Sequence, residues 1–418
     1  MKHFLHIIAL LSLFASSACD PVEQQPQQND SISLSSKEAV IDYQEQTISI
    51  TVTSSEGWTL TGSHDWALPS SKTGKSGDIV LIAVAENTTD SERKAVFTFS
   101  CGKAVATYSL TQQKGPEKPK EPTRLTGTVI GTTYSVDYNN GNAKSTTVNT
   151  KNNVFDGRYD TFFASYDRSR TWVGLDLGEK HIITKVGWSP RIDQQHRVEL
   201  ALFEGANEPD FSDALPIWIV KAPGVNRTMH YADITCSRGF RYVRYVSPND
   251  VRCNLAELEF YGYKGEGNDS QLYQLTNLPT VVVNIANGEE VIEKEKNLIS
   301  NVYIISEGGT ALLATSGTEI RGRGNASWDF AKKPYRLKFD GKQSPLGAPA
   351  SAKKWTLLSN YGDKTLMRNM LAFEVSRRVG LSYTPFCHPV DLVINGEYRG
   401  CYQFCDQVEA AKGRVDAK

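Results

Sequence analysis

Net charge is the first thing this 418-residue sequence lacks: 46 Lys and Arg stand against 47 Asp and Glu, leaving a formal charge of −1. Without a basic surplus there is no global field to draw in a polyanion, so nucleic acid is set aside as a partner. Cysteine is scarce too, at seven residues in the chain. That is too few to staple a fold, and each domain must hold itself by burying apolar side chains. No Cys or His cluster has zinc-ligand spacing. No apolar run reaches the ~20 residues of a membrane-spanning helix, and the helix-forming bias of a coiled coil is missing. What is present is 39% hydrophobic and 22% charged residues, with Gly, Ser, Thr and Tyr plentiful. At roughly 150 residues per domain, the length allows two to four domains, and the composition leans to β-rich modules joined by turns.

The N-terminus carries an address. Lys2 precedes an apolar run from Phe4 to Phe14, and the small residues Ala15, Ser16, Ser17 and Ala18 lead into Cys19. A short apolar core ending in small residues is a secretion signal. With a cysteine at the processing point it resembles a bacterial lipoprotein signal, which implies lipidation of Cys19 and anchoring to a membrane, at the cell surface or on the periplasm-facing side of an outer membrane. DPVEQQPQQND (20–30) has almost nothing to bury and is expected to be a tether. Among the remaining cysteines, Cys401 and Cys405 would lie some 13 Å apart on one face of a strand, too far to bridge. Cys236 and Cys253 either pair across neighbouring strands or are buried free thiols.

Composition breaks at GPEKPKEP (115–122) and again over 265–276, where proline, glycine and charge replace alternating apolar residues; both are expected to be linkers. They leave segments 31–114, 123–264 and 277–418. In the first, short alternating runs between turn residues predict an immunoglobulin-like β-sandwich. Trp58 and Trp66 flank a turn, Asn87 precedes a polar stretch, Arg93 opens a strand and the end reads YSLTQQKG. Together these resemble the BACON family, whose name records a proposed carbohydrate-binding role. Core packing is the alternative use of the two tryptophans.

The second segment reads VFDGRYDTFF (154–163), TWVGLDLG (171–178), SPR (189–191), LFEGANEPDF (202–211), RYVRY (241–245) and NLAELEFYGY (254–263). WVGLDLG sets Val173, Leu175 and Leu177 against Trp172, Gly174 and Asp176, as a strand with one buried face does. The six motifs in this order resemble the discoidin (coagulation-factor 5/8 type C) family, a jelly-roll β-sandwich that binds glycans from loops at one end. The resemblance implies a structural calcium at Asp156, Asp160, Thr161 and Glu257, oxygen ligands suited to a hard cation. Otherwise Asp156-Gly157 is a plain turn. For the sugar, Phe163, Tyr166, Arg168 and Arg191 lie on candidate loops, and Trp172 is assigned to the core.

The third segment carries EIRGRGNASW (319–328), KKPYRLKF (332–339), NYGDKTLMRN (360–369) and NGEYRG (395–400), wording that resembles the CotH family of secreted atypical protein kinases. The expected fold is a partial α+β kinase lobe. Arg321, Gly322, Arg323, Gly324 and Asn325 form either a loop over phosphates or a hairpin turn with solvated arginines. Alternation sets Tyr335, Leu337 and Phe339 opposite Arg336 and Lys338, so that Lys338 is expected to face a cleft. Asp363 is expected to cap a helix over 364–379 whose apolar stripe contains Glu374. The resemblance implies a Lys338–Glu374 ion pair holding the phosphates of ATP; Arg378, four residues on, is the other available partner. Asn395-Gly396 predicts a hairpin leading toward a hinge. The catalytic residues and magnesium ligands of a second lobe have no residues here, Asp406 and Asp416 notwithstanding. The chain as given is therefore expected to bind glycan and not to turn over ATP; with the missing half it would phosphorylate a hydroxyl of an exported protein. A non-enzymatic adhesin or scaffold is the rival reading.

Overall fold

In the computed structural model the described residues are 29–62, 64–115 and 120–415. Cys19 with its signal, most of the tether, and Asp416 lie outside them. The chain forms two compact units, Met1–Pro119 and Lys120–Lys418. No described helix is long and apolar enough to cross a membrane.

The first unit is the expected sandwich. One sheet runs Ile32–Leu34, Gln46–Ser54, Ile79–Val84, Ala67–Pro69; the other runs Glu38–Ile41, Ala104–Gln112, Arg93–Cys101, Trp58–Thr61, Thr73–Gly74. Period-2 sequence makes one face of each strand apolar, and Ile50, Ile82, Phe97, Phe99 and Tyr108 meet between the sheets, all fully buried. Trp58 joins this core and its indole N–H donates to the Lys75 carbonyl (2.9 Å). Trp66 is half-buried, with the Arg93 guanidinium 4.3 Å above its ring. Buried Asn87 ties its loop to the end of the last strand, donating to the Ser91 and Gln113 carbonyls.

The second unit begins with a β-sandwich built on one long strand, Trp172–Pro190, which pairs with Asn254–Lys264 and Gly239–Val246 and slips register between Asp176 and His181. That irregularity lets one strand serve two layers. Val173, Leu175, Phe203, Val243, Leu255 and Phe260 fill the space between.

Residues 280–406 then close a seven-stranded barrel in the order Thr280–Ile285, Leu298–Ile305, Ala311–Gly322, Tyr335–Gln343, Ala352–Leu358, Glu397–Asp406, Cys387–Ile394. Leu337, Phe339, Trp355, Leu392 and Phe404 occupy its interior. The chain is mainly β throughout, as expected; the α part of the third segment is small. A one-turn helix, Ala326–Asp329, follows RGRGN, and an eleven-residue helix, Arg368–Arg378, lies outside the barrel. Its predicted start moves: Asp363 instead caps a turn, accepting the Arg368 N–H (2.8 Å). The apolar stripe is not buried either, since Met367, Leu371 and Val375 stand 63%, 64% and 51% exposed.

The segment 265–276 is no free linker. Leu272, Tyr273 and Leu275 are buried in the sandwich core, which also takes Val282, Ile305 and Val393 from the barrel's outer flank. Burying a leucine in this way stabilises by about 1.5–3 kcal/mol, so sandwich and barrel are welded through one apolar layer. Asn395 (φ 50°) and Gly396 (φ 80°) form the predicted tight turn. The turn rests on the sandwich: the Arg170 N–H donates to Glu397 Oε1 (2.9 Å), and a Cβ at Gly396 would come 2.6 Å from Glu204 Oε2. The six described cysteines are free, Cys236 and Cys253 included, and both of these are buried.

Candidate functional site

The loops at one end of the sandwich gather rings and guanidiniums. Tyr138 and Phe162 sit 6.3 Å apart, and Arg191 lies across both, 4.5 Å from the Tyr138 centroid and 3.9 Å from that of Phe162. Arg191 also donates from Nη1 to Asn254 Oδ1 (3.1 Å). Lys144 stands over Tyr134 (3.8 Å) and Tyr166 (5.4 Å). Arg252 lies 5.7 Å from the Tyr166 ring and donates to the carbonyls of Ser165 and Tyr166. Tyr134, Tyr138 and Tyr166 are 42%, 37% and 36% exposed, so each keeps ring surface for a ligand.

Of the four residues expected to contact sugar, Tyr166 and Arg191 are in this cluster. Phe163 is not available: it is fully buried, opposite Leu255 in a short strand pair. Arg168 stands nearby and also lines a cleft of about 580 Å³ where sandwich and barrel meet, with Arg170, Phe211 and Arg244. Trp172, assigned to the core, is a wall of that cleft, its ring against Phe211 at 5.1 Å. Sequence reasoning missed Tyr134, Tyr138, Phe162, Arg197 and Arg252. The signal was TYSVDYNNGN (133–142), two tyrosines four apart in a polar, Gly-containing loop.

Beside these loops the structure brings together three of the four expected calcium residues. Thr161 Oγ1 donates to Asp156 (2.8 and 3.0 Å), and the Arg158 N–H is shared by Asp156 Oδ1 (2.9 Å) and Glu257 Oε1 (2.8 Å). Burial, with the facing Asp156 carboxylate, pushes Glu257 up to about 7. Asp160 turns away: the Arg158 guanidinium binds it (2.8 and 3.1 Å) and holds it below the usual carboxylate range. Two carboxylates and a hydroxyl are a hard-cation donor set. Among the described residues no group of three or more His, Cys, Asp or Glu is arranged to hold a metal.

On the barrel, Arg321, Arg323, Gly324 and Asn325 do lie together, lining a recess of about 380 Å³ with Arg336 and Lys294. Arg321 and Arg336 are cross-strand neighbours; burial, and then the Arg321 charge, lower Arg336. Burial likewise lowers Arg323. Such a cationic recess suits phosphate oxygens. Gly322 has a packing reason to be glycine, since a Cβ would meet the Trp328 ring at 2.4 Å. Gly324 has a conformational one, at φ 93°.

Lys338 and Glu374 are not brought together. Lys338 points outward from the barrel to its cross-strand neighbour Glu319 (2.7 Å). Glu374 is on the exposed helix and binds Arg377 and, at 2.7 Å, Arg378. The i,i+4 spacing therefore prevails over the strand–helix pair, because a local partner on the same helix face needs no tertiary placement.

Comparison with known proteins adds family to geometry. The family profile "CotH kinase protein" matches residues 320–416, and "Putative binding domain, N-terminal" (BACON) matches 32–112. Among solved structures the chain is similar to the CBM62 module of Clostridium thermocellum Xyl5A, with 38% identity over 34% of this chain and 98% of that one and a TM-score of 0.31. It is also similar to the Streptococcus pneumoniae fucose binding module SpX-3, with 18% identity over 34% of this chain and 96% of that one, TM-score 0.25. A third is a CBM32 module from Clostridium perfringens in complex with GalNAc-β-1,3-galactose, with 17% identity over 32% and 93%, TM-score 0.25. No curated protein matches the chain. Along the sequence, the BACON match precedes the second sandwich and the CotH match follows it.

Proposed function

We propose that this protein binds glycans through the loop end of its second β-sandwich, on a surface anchored by lipid at Cys19. The observation that carries the reading is the set of exposed rings Tyr134, Tyr138 and Tyr166 gathered with Arg191 and Asn254. A pyranose presents C–H groups on one face and hydroxyls at its rim, and needs ring surface beside fixed polar groups. The test is retention of the full chain on a glycan array, followed by titration calorimetry. Tyr138→Ala combined with Tyr166→Ala should weaken binding about tenfold or more; retention of no glycan overturns the reading. Labelled palmitate entering the wild type but not Cys19→Ser tests the anchor.

Calcium fits beside the site. Asp156, Thr161 and Glu257 would hold it, with backbone carbonyls completing the shell, and its charge would stabilise the loop that carries Phe162. Dialysis against a chelator should then lower the melting temperature, and calcium should restore it.

The barrel's recess fits the phosphates of a nucleotide through Arg321, Arg323 and Arg336. In a chain that also holds the residues of a second kinase lobe, phosphate transfer from ATP to a hydroxyl on an exported protein would follow. The engagement of Lys338 by Glu319 favours a second reading, in which the barrel is a non-enzymatic scaffold that presents the sandwich. Incubation with labelled ATP and magnesium separates the two: transfer to protein supports the kinase, and absence of ATP binding supports the scaffold.

A further inference from the structure

Four guanidiniums converge on the loop end of the sandwich. Two successive turns tie Arg197 to Arg191, the Gln194 N–H donating to the Arg191 carbonyl (3.0 Å) and the Arg197 N–H to the Gln194 carbonyl (3.0 Å); Arg252 donates to the Tyr166 carbonyl, and Arg168 follows Tyr166 by two residues. None of the four is within ion-pair distance of a carboxylate among the described residues, although the chain as a whole is neutral and many of its other arginines are paired. Asp137 and Asp193, acidic residues of the same loops, are engaged locally, Asp137 with the Asn139 N–H (3.0 Å) and Asp193 with the Asn226 amide (3.3 Å).

Their bonding states differ in a telling way. Arg191 and Arg252 have acceptors, Asn254 Oδ1 and two carbonyls. The Arg168 and Arg197 side chains donate to no protein acceptor among the described residues, and Arg197 is only partly exposed. Like charges gathered on one surface repel wherever nothing anionic offsets them. A guanidinium offers two parallel N–H groups that match the two oxygens of a carboxylate.

We infer that the loop end is built for an acidic saccharide, a glycan whose uronate carboxylate sits among Arg168, Arg191, Arg197 and Arg252 while its ring lies on the neighbouring tyrosines. The inference rests on the glycan-binding reading above and adds the chemical class of the sugar. A neutral hexose would leave the four cations facing one another; a uronate neutralises part of that charge and fills the donors of Arg197.

The experiment titrates the full chain with oligogalacturonate and with its methyl ester, which keeps the ring and removes the charge. The acid should bind about tenfold more tightly, the value of one added charge-assisted contact. The advantage should shrink as sodium chloride is raised from 50 to 500 mM. Arg197→Gln should bring acid affinity down to that of the ester and leave the ester unchanged. Arg168→Gln, on a different loop, guards against local misfolding at position 197 and should lower acid affinity in the same direction. Equal affinity for acid and ester, or a preference for the ester, overturns the inference and leaves glycan binding standing. If neither sugar nor any neutral glycan binds, the underlying reading falls as well. A sulfated galactan that outcompetes the uronate would also overturn the assignment to carboxylate.

Discussion

The barrel and the loop end of the sandwich treat arginine in opposite ways. Arg414, beyond the last barrel strand, is 3% exposed and held on several sides: it meets Glu409 (2.7 Å) and Asp406 (3.3 Å), donates to two carbonyls and lies 4.8 Å from the Trp355 ring, with Nε alone lacking an acceptor. Inside the sandwich Arg244 is held by Glu204 through Nε and Nη2 (2.9 and 2.8 Å). At the loop end Arg168 and Arg197 have no such partner among the described residues. A buried cation paired with carboxylates holds architecture together; a cation left without such a partner beside exposed rings is free to meet something outside the chain.

The largest effects should fall on the paired side of that contrast. Glu204→Ala strands the Arg244 charge in the interior, and Arg414→Met strands Asp406; each should cost about 3–5 kcal/mol in denaturant unfolding of the second unit. A loss under 1 kcal/mol in either would erase the distinction drawn here. Arg197→Gln is the sharpening control, because with no protein partner to lose, stability should stay within about 0.5 kcal/mol of wild type or rise.

A smaller loss is expected where the barrel's turn meets the sandwich. Gly396 has φ 80° and its missing Cβ would stand 2.6 Å from Glu204 Oε2. Gly396→Ala combines left-handed backbone strain with a clash against a buried carboxylate, for a loss of about 1–3 kcal/mol. Smaller again is Lys338→Gln. Its pair with Glu319 is half-exposed, at 37% and 25%, and should contribute about 0.2–1 kcal/mol. A value of several kcal/mol there would mean Lys338 has a buried role that its outward direction denies.

These contrasts follow the line between local and non-local information. Alternation in WVGLDLG and PYRLKF correctly sorts buried from exposed positions, and Asn395-Gly396 forms its turn, because each depends on a few residues and the two-residue period of a strand. Alternation says which residues share a face, though, and not what lies beyond it. Lys338 does sit opposite Leu337 and Phe339, but closure of the barrel, which pairs Thr280 with Asp391 more than a hundred residues on, turns its face outward. Phe163 looks like a loop aromatic until Leu255, ninety residues away, pairs with it. The stripe containing Met367, Leu371 and Val375 has helical periodicity, which predicts a helix, and no packed element covers it. The four arginines come from three separate loops, and nothing in their spacing shows that they meet.

The same logic of partners can be read at sulfur, where the expected effect is on reactivity and not stability. Cys387 and Cys405 are directly opposed across the strands Cys387–Ile394 and Glu397–Asp406. The opposed Cys405 thiol favours the Cys387 thiolate and outweighs burial, lowering Cys387 to about 6, while Cys405 is driven upward by the same neighbour. Cys253 has burial alone, is fully enclosed, and is pushed far above the usual thiol range. The thiolate is the nucleophile, so alkylation of Cys387 should rise with pH through a midpoint near 6 and be almost complete in thiolate at pH 7.5. Cys253 should stay unlabelled in the folded chain at that pH. Peptide mapping after timed iodoacetamide treatment reads both sites in one sample. Cys405→Ser keeps a donor at the position, a hydroxyl being a better one than a thiol, and should leave the Cys387 midpoint well below the ordinary thiol value; Cys405→Ala removes the donor and should carry it toward that value, about 8.5. A wild-type midpoint already at that value would show that opposition across the strands places the two sulfurs side by side without coupling them.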